Sequence, residues 1–366
     1  MRRGQRPRWL RPSTVVAAFS GIALLLLLAT HAWDPEFFAT RGPQWTRHYP
    51  AMQKSASDGI IFHALASRPA EAVERLAAYR VNRILYPMLA WLLALGQPGL
   101  AAWTLVLVNW AAITLGTELM HRLIERRGGS SWWALGYGAW VGLGLALLHD
   151  TAEPATYLAA LLGVWLLDRE RPVLASAAFL AALLGRETAL LLVGPYLVAA
   201  GRGRRGIGRW LPVAVVLGLW LGWLASTALW IGRSQPAPGV LGLPFLGYRA
   251  TRGTDLPVTL VFVLLPAVVV VAYAARRLIR APARPELWAA LANGVLVIVL
   301  GTRVAGLLWH SGRVATGLVA ATLLAVPLGR GASPLGRALA ALYAVSAVWT
   351  IAVVARFLFW GVLSLE

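Results

Sequence analysis

Residues 13–33 read STVVAAFSGIALLLLLATHAW, an apolar run closed by a tryptophan and followed by Asp34-Pro35-Glu36. A helix of ~20 apolar residues spans the hydrocarbon core of a bilayer. The run follows the basic segment MRRGQRPRWLR, and no small-residue cleavage site succeeds it, so it reads as an uncleaved first span. The rest of the chain agrees. Of 366 residues, 58% are hydrophobic and 13% charged, and mean hydropathy is +0.65. Soluble domains carry ~25% charged residues, so an ordinary water-soluble or disordered protein is excluded. Cysteine is absent, which removes disulfides, thiolate metal sites and cysteine nucleophiles together. The 18 tryptophans suit a chain with much lipid–water interface.

Working outward, further apolar runs occupy Gly99–Met120, Ser131–Leu148, Pro154–Leu167, Pro172–Gly185, Thr188–Ala200, Trp210–Ile231, Leu256–Ala275, Leu287–Thr302, Ala315–Leu328 and Ala338–Leu363. The expected fold is therefore an all-α polytopic membrane protein of about eleven transmembrane helices, within a range of about ten to twelve. Residues 1–366 form a single membrane domain with no soluble one. The short apolar stretch Ile84–Leu95 reads as a helix packed in one leaflet or re-entrant, or else as one more short span.

Net charge is +19, and Lys54 is the only lysine. In a soluble chain this excess would point to nucleic acid. Here arginines cluster in short loops, at Arg122/Arg126/Arg127, Arg169/Arg171, Arg202/Arg204/Arg205/Arg209, Arg276/Arg277/Arg280/Arg284 and Arg330/Arg337. Membrane lipids are thus the expected partner, and nucleic acid is not. All these clusters fall on one side of the membrane if each run crosses once. The positive-inside rule then puts the N-terminus in the cytoplasm of a multi-pass protein of the cell (inner) membrane. The first external loop, Asp34–Arg83, has helical stretches at Ser55–Ser67 and Pro69–Tyr79. The second, Arg233–Asp255, is rich in Gly and Pro and reads as a mobile lid or access loop.

Polar residues at membrane depth are costly, so they mark candidate sites. Asp34 and Glu36 close the first span. Asp58-Gly59 opens a helix, where Asp58 suits either an N-cap or catalysis. Arg80 and Arg83, three apart, share a helical face and suit phosphate oxygens, or else snorkel to the interface. His149-Asp150-Thr151-Ala152-Glu153-Pro154 joins two runs by a short turn, and Asp150 there carries an N-cap signature for the next helix. Arg186-Glu187-Thr188 interrupts a long apolar stretch, as a helix-terminal pair or as the lining of an external cavity. Arg303, His310 and Arg313 add cationic and imidazole groups late in the chain. No His-Glu-x-x-His or paired histidine spacing occurs.

The stretch S-D-G-I-I-F-H-A-L-A (Ser57 to Ala66), followed by Y-R-V-N-R-I-L-Y-P-M-L-A-W (Tyr79 to Trp91), resembles the GT-C superfamily of membrane glycosyltransferases. Within it, the pair is similar to a bacterial subgroup linked to cell-surface glycopolymer formation. D-T-A-E-P (Asp150 to Pro154) and R-E-T (Arg186 to Thr188) are similar to its pattern as well. Ser57 stands where the subgroup keeps Tyr, and Ile60 where it keeps Gln. The resemblance implies a GT-C-like fold. It also implies a polyprenyl-phosphate sugar donor and an extracytoplasmic glycan or lipid-linked acceptor. Glycosyl transfer needs a base for the acceptor hydroxyl and cations for the leaving phosphate. Asp58, then Asp34, are the candidates for the base. Arg80, Arg83, Arg186, Arg303 and Arg313, with Glu187, Asp150 and Glu153, are the candidates for substrate and phosphate binding. No cofactor is specified, and a divalent metal is left open. A transporter or flippase of a lipid-linked or anionic solute, or a non-catalytic partner in envelope polysaccharide assembly, would use the same arginines without needing a base.

Overall fold

The structure is a computed structural model. It describes residues 11–40, 58–75, 78–202, 210–231, 239–251, 253, 255–328 and 333–360. Several positions named above lie outside the described residues: Lys54, Ser55, Ser57, the Tyr79 side chain, Arg204, Arg205, Arg209, residues 233–238 and Arg330. Among the described residues every regular element is helical, and Leu241 and Leu300 form an isolated β-bridge.

A helix stands at each place where the sequence is apolar, but the helices differ in length. Five are long and apolar enough to cross a bilayer: Pro12–Thr30, Pro98–Arg126, Leu211–Ile231, Asp255–Leu278 and Pro334–Ala355. Ser131–Gly138 and Val141–Leu148 pass the same test only together, bent by 46° at their junction. Glu153–Leu167, Pro172–Gly185, Glu187–Gly201 and Pro285–Ile298 are shorter. A helix of fifteen residues is ~22 Å long, less than the ~30 Å core. The protein is thus a multi-pass, all-helical membrane protein by its long helices. The count of about eleven full spans is not reached by helix length.

Burial accounts for one short helix, Thr316–Ala325, whereas Pro172–Gly185 bares Val173 and Leu174. Long ones bare apolar side chains: Ile22 is 58% exposed, Leu229 87% and Trp230 72%. By contrast every residue of Thr316–Ala325 is buried. A helix that is hydrophobic all round sits inside the bundle, where its length need not match the bilayer. Prolines mark the starts at Pro12, Pro98, Pro172, Pro285 and Pro334, where the missing N–H costs nothing.

The bundle has two chemically distinct ends. At one, Arg11 and Ser13 reach Glu118, Arg126 donates to the Asp168 carbonyl and Arg127 to the Leu324 carbonyl. The basic side chains there close off helix termini. At the other end the described part of the first loop is packed down. Asp58–Ser67, Pro69–Arg75 and Ala78–Val81 are short helices, followed by Leu85–Leu93. Ile61, Phe62, Leu65 and Ala66 form a second apolar cluster with Val81, Tyr86, Leu105 and Ala155. The stretch Ile84–Leu95 contains this Leu85–Leu93 helix, ~13 Å long, with Leu92 and Leu93 exposed.

Two close approaches set the site. An ideal Cβ on Gly59 would lie 2.5 Å from the His149 carbonyl oxygen and 3.0 Å from that of Ala39. Gly59 therefore lets the helix carrying Asp58 lie on the His149 turn. Gly142 and Gly312 likewise meet backbone to backbone, and Trp140 Nε1 donates to the Gly312 carbonyl at 3.1 Å. This contact fixes the helix Leu308–Val314, and with it Arg313.

The loop 233–255 is tied down over its described part. Gly242 N and Phe245 N donate to the Val299 and Ile298 carbonyls, Tyr248 Oη to that of Val297 and Thr251 Oγ1 to that of Ala305. The Gly and Pro composition that suggests a mobile lid serves here to bring backbone against backbone: Gly247 lies directly on the Leu300 carbonyl.

Candidate functional site

Asp58 is the first described residue of the helix Asp58–Ser67, and its carboxylate reaches Arg313. Arg313 Nη2 donates to Asp58 Oδ2 at 3.0 Å, and Arg83 Nη1 stands 3.9 Å from the same oxygen. Burial raises the Asp58 carboxyl, but Arg313, then Arg83, Arg80 and Arg186 together hold it well below the usual carboxylate range.

Arg83 is clamped from a second direction. Its Nε and Nη2 donate to Glu187 Oε2 and Oε1 at 3.1 and 2.6 Å, a bidentate fork. Arg186, next in sequence to Glu187, turns the other way and donates to Glu153 Oε1. Glu153 Oε1 also lies 3.1 Å from Arg313 Nε. Three arginines and three carboxylates thus form one continuous array, Glu187–Arg83–Asp58–Arg313–Glu153–Arg186. Exposure grades along it: Glu153 and Arg313 side chains are 1% and 7% exposed, Glu187 49%.

The deep end is not fully satisfied. Glu153 Oε2 and Arg186 Nε are buried without a hydrogen-bond partner among the described residues. Buried polar groups are ordinarily paired, so these two atoms are exceptions within an otherwise paired array.

The array draws on segments far apart in sequence. The stretch Arg80–Arg83 does not continue as one helix, contrary to the shared helical face its spacing predicts. The helix ends at Val81, and the chain turns through Asn82 before Leu85. Asn82 is the cause: its carbonyl accepts from Trp223 Nε1 at 3.2 Å and its side chain pairs with Thr227 Oγ1. The turn sends Arg83 to Asp58 and Glu187, while Arg80 contributes to the field at Asp58.

Asp150 does not cap the following helix. Ala152 is the N-cap of Glu153–Leu167, with no side-chain cap. Asp150 has φ +45 and is fully buried. It faces Tyr86, whose hydroxyl lies 3.3 Å from Asp150 Oδ1 and 3.0 Å from the Leu105 carbonyl oxygen, and accepts from Asn109 Nδ2 at 2.8 Å. Asp150 and Tyr86 therefore brace the turn beneath Gly59 rather than start a helix.

Asp34 and Arg303 are not brought to the array. Asp34 is exposed, and its Oδ1 accepts from Glu36 N at 2.9 Å, opening the helix Glu36–Thr40. Arg303 is exposed beside the second loop, its backbone N donating to Gly239 O. Among the described residues no group of three His, Asp or Glu stands as a metal-ligand set. Asn109, Trp223 and Thr227 are the supporting residues not anticipated from sequence. Asn109 alone carried a signal, an amide inside the apolar run Gly99–Met120.

No protein family matches the chain, and no curated protein or solved structure does.

Proposed function

We propose that the protein is a membrane glycosyltransferase of GT-C type. It moves a sugar from a polyprenyl-phosphate donor to an extracytoplasmic glycan or lipid-linked acceptor in cell-surface glycopolymer synthesis. The observation that carries the reading is the Asp58 carboxylate set 3.0 Å from Arg313 and 3.9 Å from Arg83, at one end of a lipid-embedded bundle. A base and phosphate-binding cations are thereby side by side, the pair that transfer from a phosphate leaving group requires.

In this mechanism the donor phosphate is held by Arg83 and Arg313, with Arg186 behind them. The guanidinium forks stabilise the charge that grows on the phosphate as the glycosidic C–O bond breaks. Asp58 takes the proton of the acceptor hydroxyl. An arginine-paired carboxylate is a weak base, so the pairing with Arg313 belongs to the resting site. When the phosphate claims the guanidiniums, the Asp58 carboxyl rises and its basicity improves. The enzyme lies in the inner membrane with the array on the extracytoplasmic side and the arginine-rich end in the cytoplasm.

The test is sugar transfer by the purified full chain from radiolabelled polyprenyl-phosphate sugars to a lipid-linked acceptor pool from the same envelope. Donor-dependent product supports the reading. No product from any such donor, with the lipid itself carried across vesicle membranes, would replace it with a flippase.

A further inference from the structure

The three arginines of the array are not equally available. Arg186 and Arg313 share Glu153, whose side chain is 1% exposed and lies within the bundle. Displacing that carboxylate would strand a buried charge, which is strongly unfavourable. The partner of Arg83 is different. Glu187 is 49% exposed, on a three-residue 3-10 turn between two apolar helices. It presents two oxygens to Nε and Nη2 of Arg83 at 3.1 and 2.6 Å. That is the planar two-oxygen geometry in which a guanidinium binds a phosphate.

We propose that Glu187 is an internal stand-in for the ligand's oxyanion, occupying the Arg83 fork until a phosphate group displaces it. The inference rests on the phosphate-binding role given above to Arg83, and it names the place where exchange occurs. Glu187 swings towards solvent on its exposed side, two phosphate oxygens take Nε and Nη2, and Arg313 Nη2 leaves Asp58 for the rest of the headgroup while its Nε stays beside Glu153. The carboxylate then keeps the fork ordered in the empty site. It also weakens binding of anions that make only this one contact, since each must first expel a resident charge.

The experiment is anion binding by the detergent-solubilised full chain, read by intrinsic tryptophan fluorescence, with inorganic phosphate and a polyprenyl monophosphate as separate probes. Glu187→Gln keeps the shape and removes the charge, and Glu187→Ala removes the oxygens too. Both should bind the polyprenyl monophosphate about ten-fold or more tightly than wild type. Adding Arg83→Lys to Glu187→Gln should erase the gain. Inorganic phosphate showing the same gain would make the headgroup sufficient; a gain confined to the lipid would assign the exchange to a lipid ligand. If wild type binds the lipid but both Glu187 variants bind equally or more weakly, Glu187 merely supports Arg83, and the stand-in role is overturned with the phosphate reading intact. If neither wild type nor any variant binds a phosphate probe, the phosphate reading falls and takes this inference with it.

Discussion

At Asp58, burial raises the cost of the carboxylate, and Arg313 and Arg83 more than offset it. The sign of the pH effect follows. A carboxyl held below its ordinary range contributes stability that is complete above that range and is lost only as pH falls through the lowered value. The difference in thermal stability between wild type and Asp58→Asn should therefore stay constant from about pH 8 to about pH 5. A difference that collapses within that window would mean the Asp58–Arg313 pair is not formed. For the arginines the fork matters more than the charge. Arg83→Lys and Arg186→Lys should each lower kcat/KM by ~10-fold or more, and the double alanine variant should be inactive. Full activity in Arg83→Ala, Arg186→Ala protein would remove both from the mechanism. Sequence made the residue types of the array legible, since polar groups in apolar surroundings stand out. It did not reveal the pairing. Asp150 looked like a cap because Pro154 follows it closely, yet a positive φ and the Tyr86–Asn109 partners, distant in sequence, turn it inward.

Among the elements, the places and types of the apolar helices were readable because hydropathy is a local property. Their lengths and depths were not. Thr316–Ala325 and Pro172–Gly185 look alike in composition, but only the first is buried on all sides. The break after Val81 was hidden for a similar reason: it depends on Trp223 and Thr227, far along the chain. Glycine is common in this chain, so composition does not single out the ones at helix crossings. Their role yields a prediction. A Cβ on Gly142 would enter the Gly312 backbone, so Gly142→Ala should push the two helices apart. The expected loss is ~1–3 kcal/mol, seen as a lower melting temperature in detergent. Arg313 would be displaced as well, so transfer should fall more than stability does. An unchanged melt would refute the tight packing. Gly218, which a Cβ would leave without close neighbours, is the control expected to tolerate alanine.

For the whole molecule, the ionic array and the arginine-rich termini occupy opposite ends of the bundle, and the orientation of that axis is the testable matter. The chain is free of cysteine, so single cysteines report cleanly. A cysteine at Ser67, at the array end, should label with an impermeant maleimide in intact cells. One at Gly128, beyond the helix Ala101–Arg126, should label only after permeabilisation. The reverse pattern would invert the proposed topology and put the array in the cytoplasm. The most direct measurement for the account as a whole is sugar transfer from a polyprenyl-phosphate donor by wild type, Asp58→Asn and Asp34→Asn, each purified and shown to be folded. The account predicts donor-dependent product from wild type, a fall of ~10²–10⁴-fold in Asp58→Asn, and near-normal transfer in Asp34→Asn, whose carboxylate only opens a short helix. Transfer that persists in Asp58→Asn and vanishes in Asp34→Asn would contradict it.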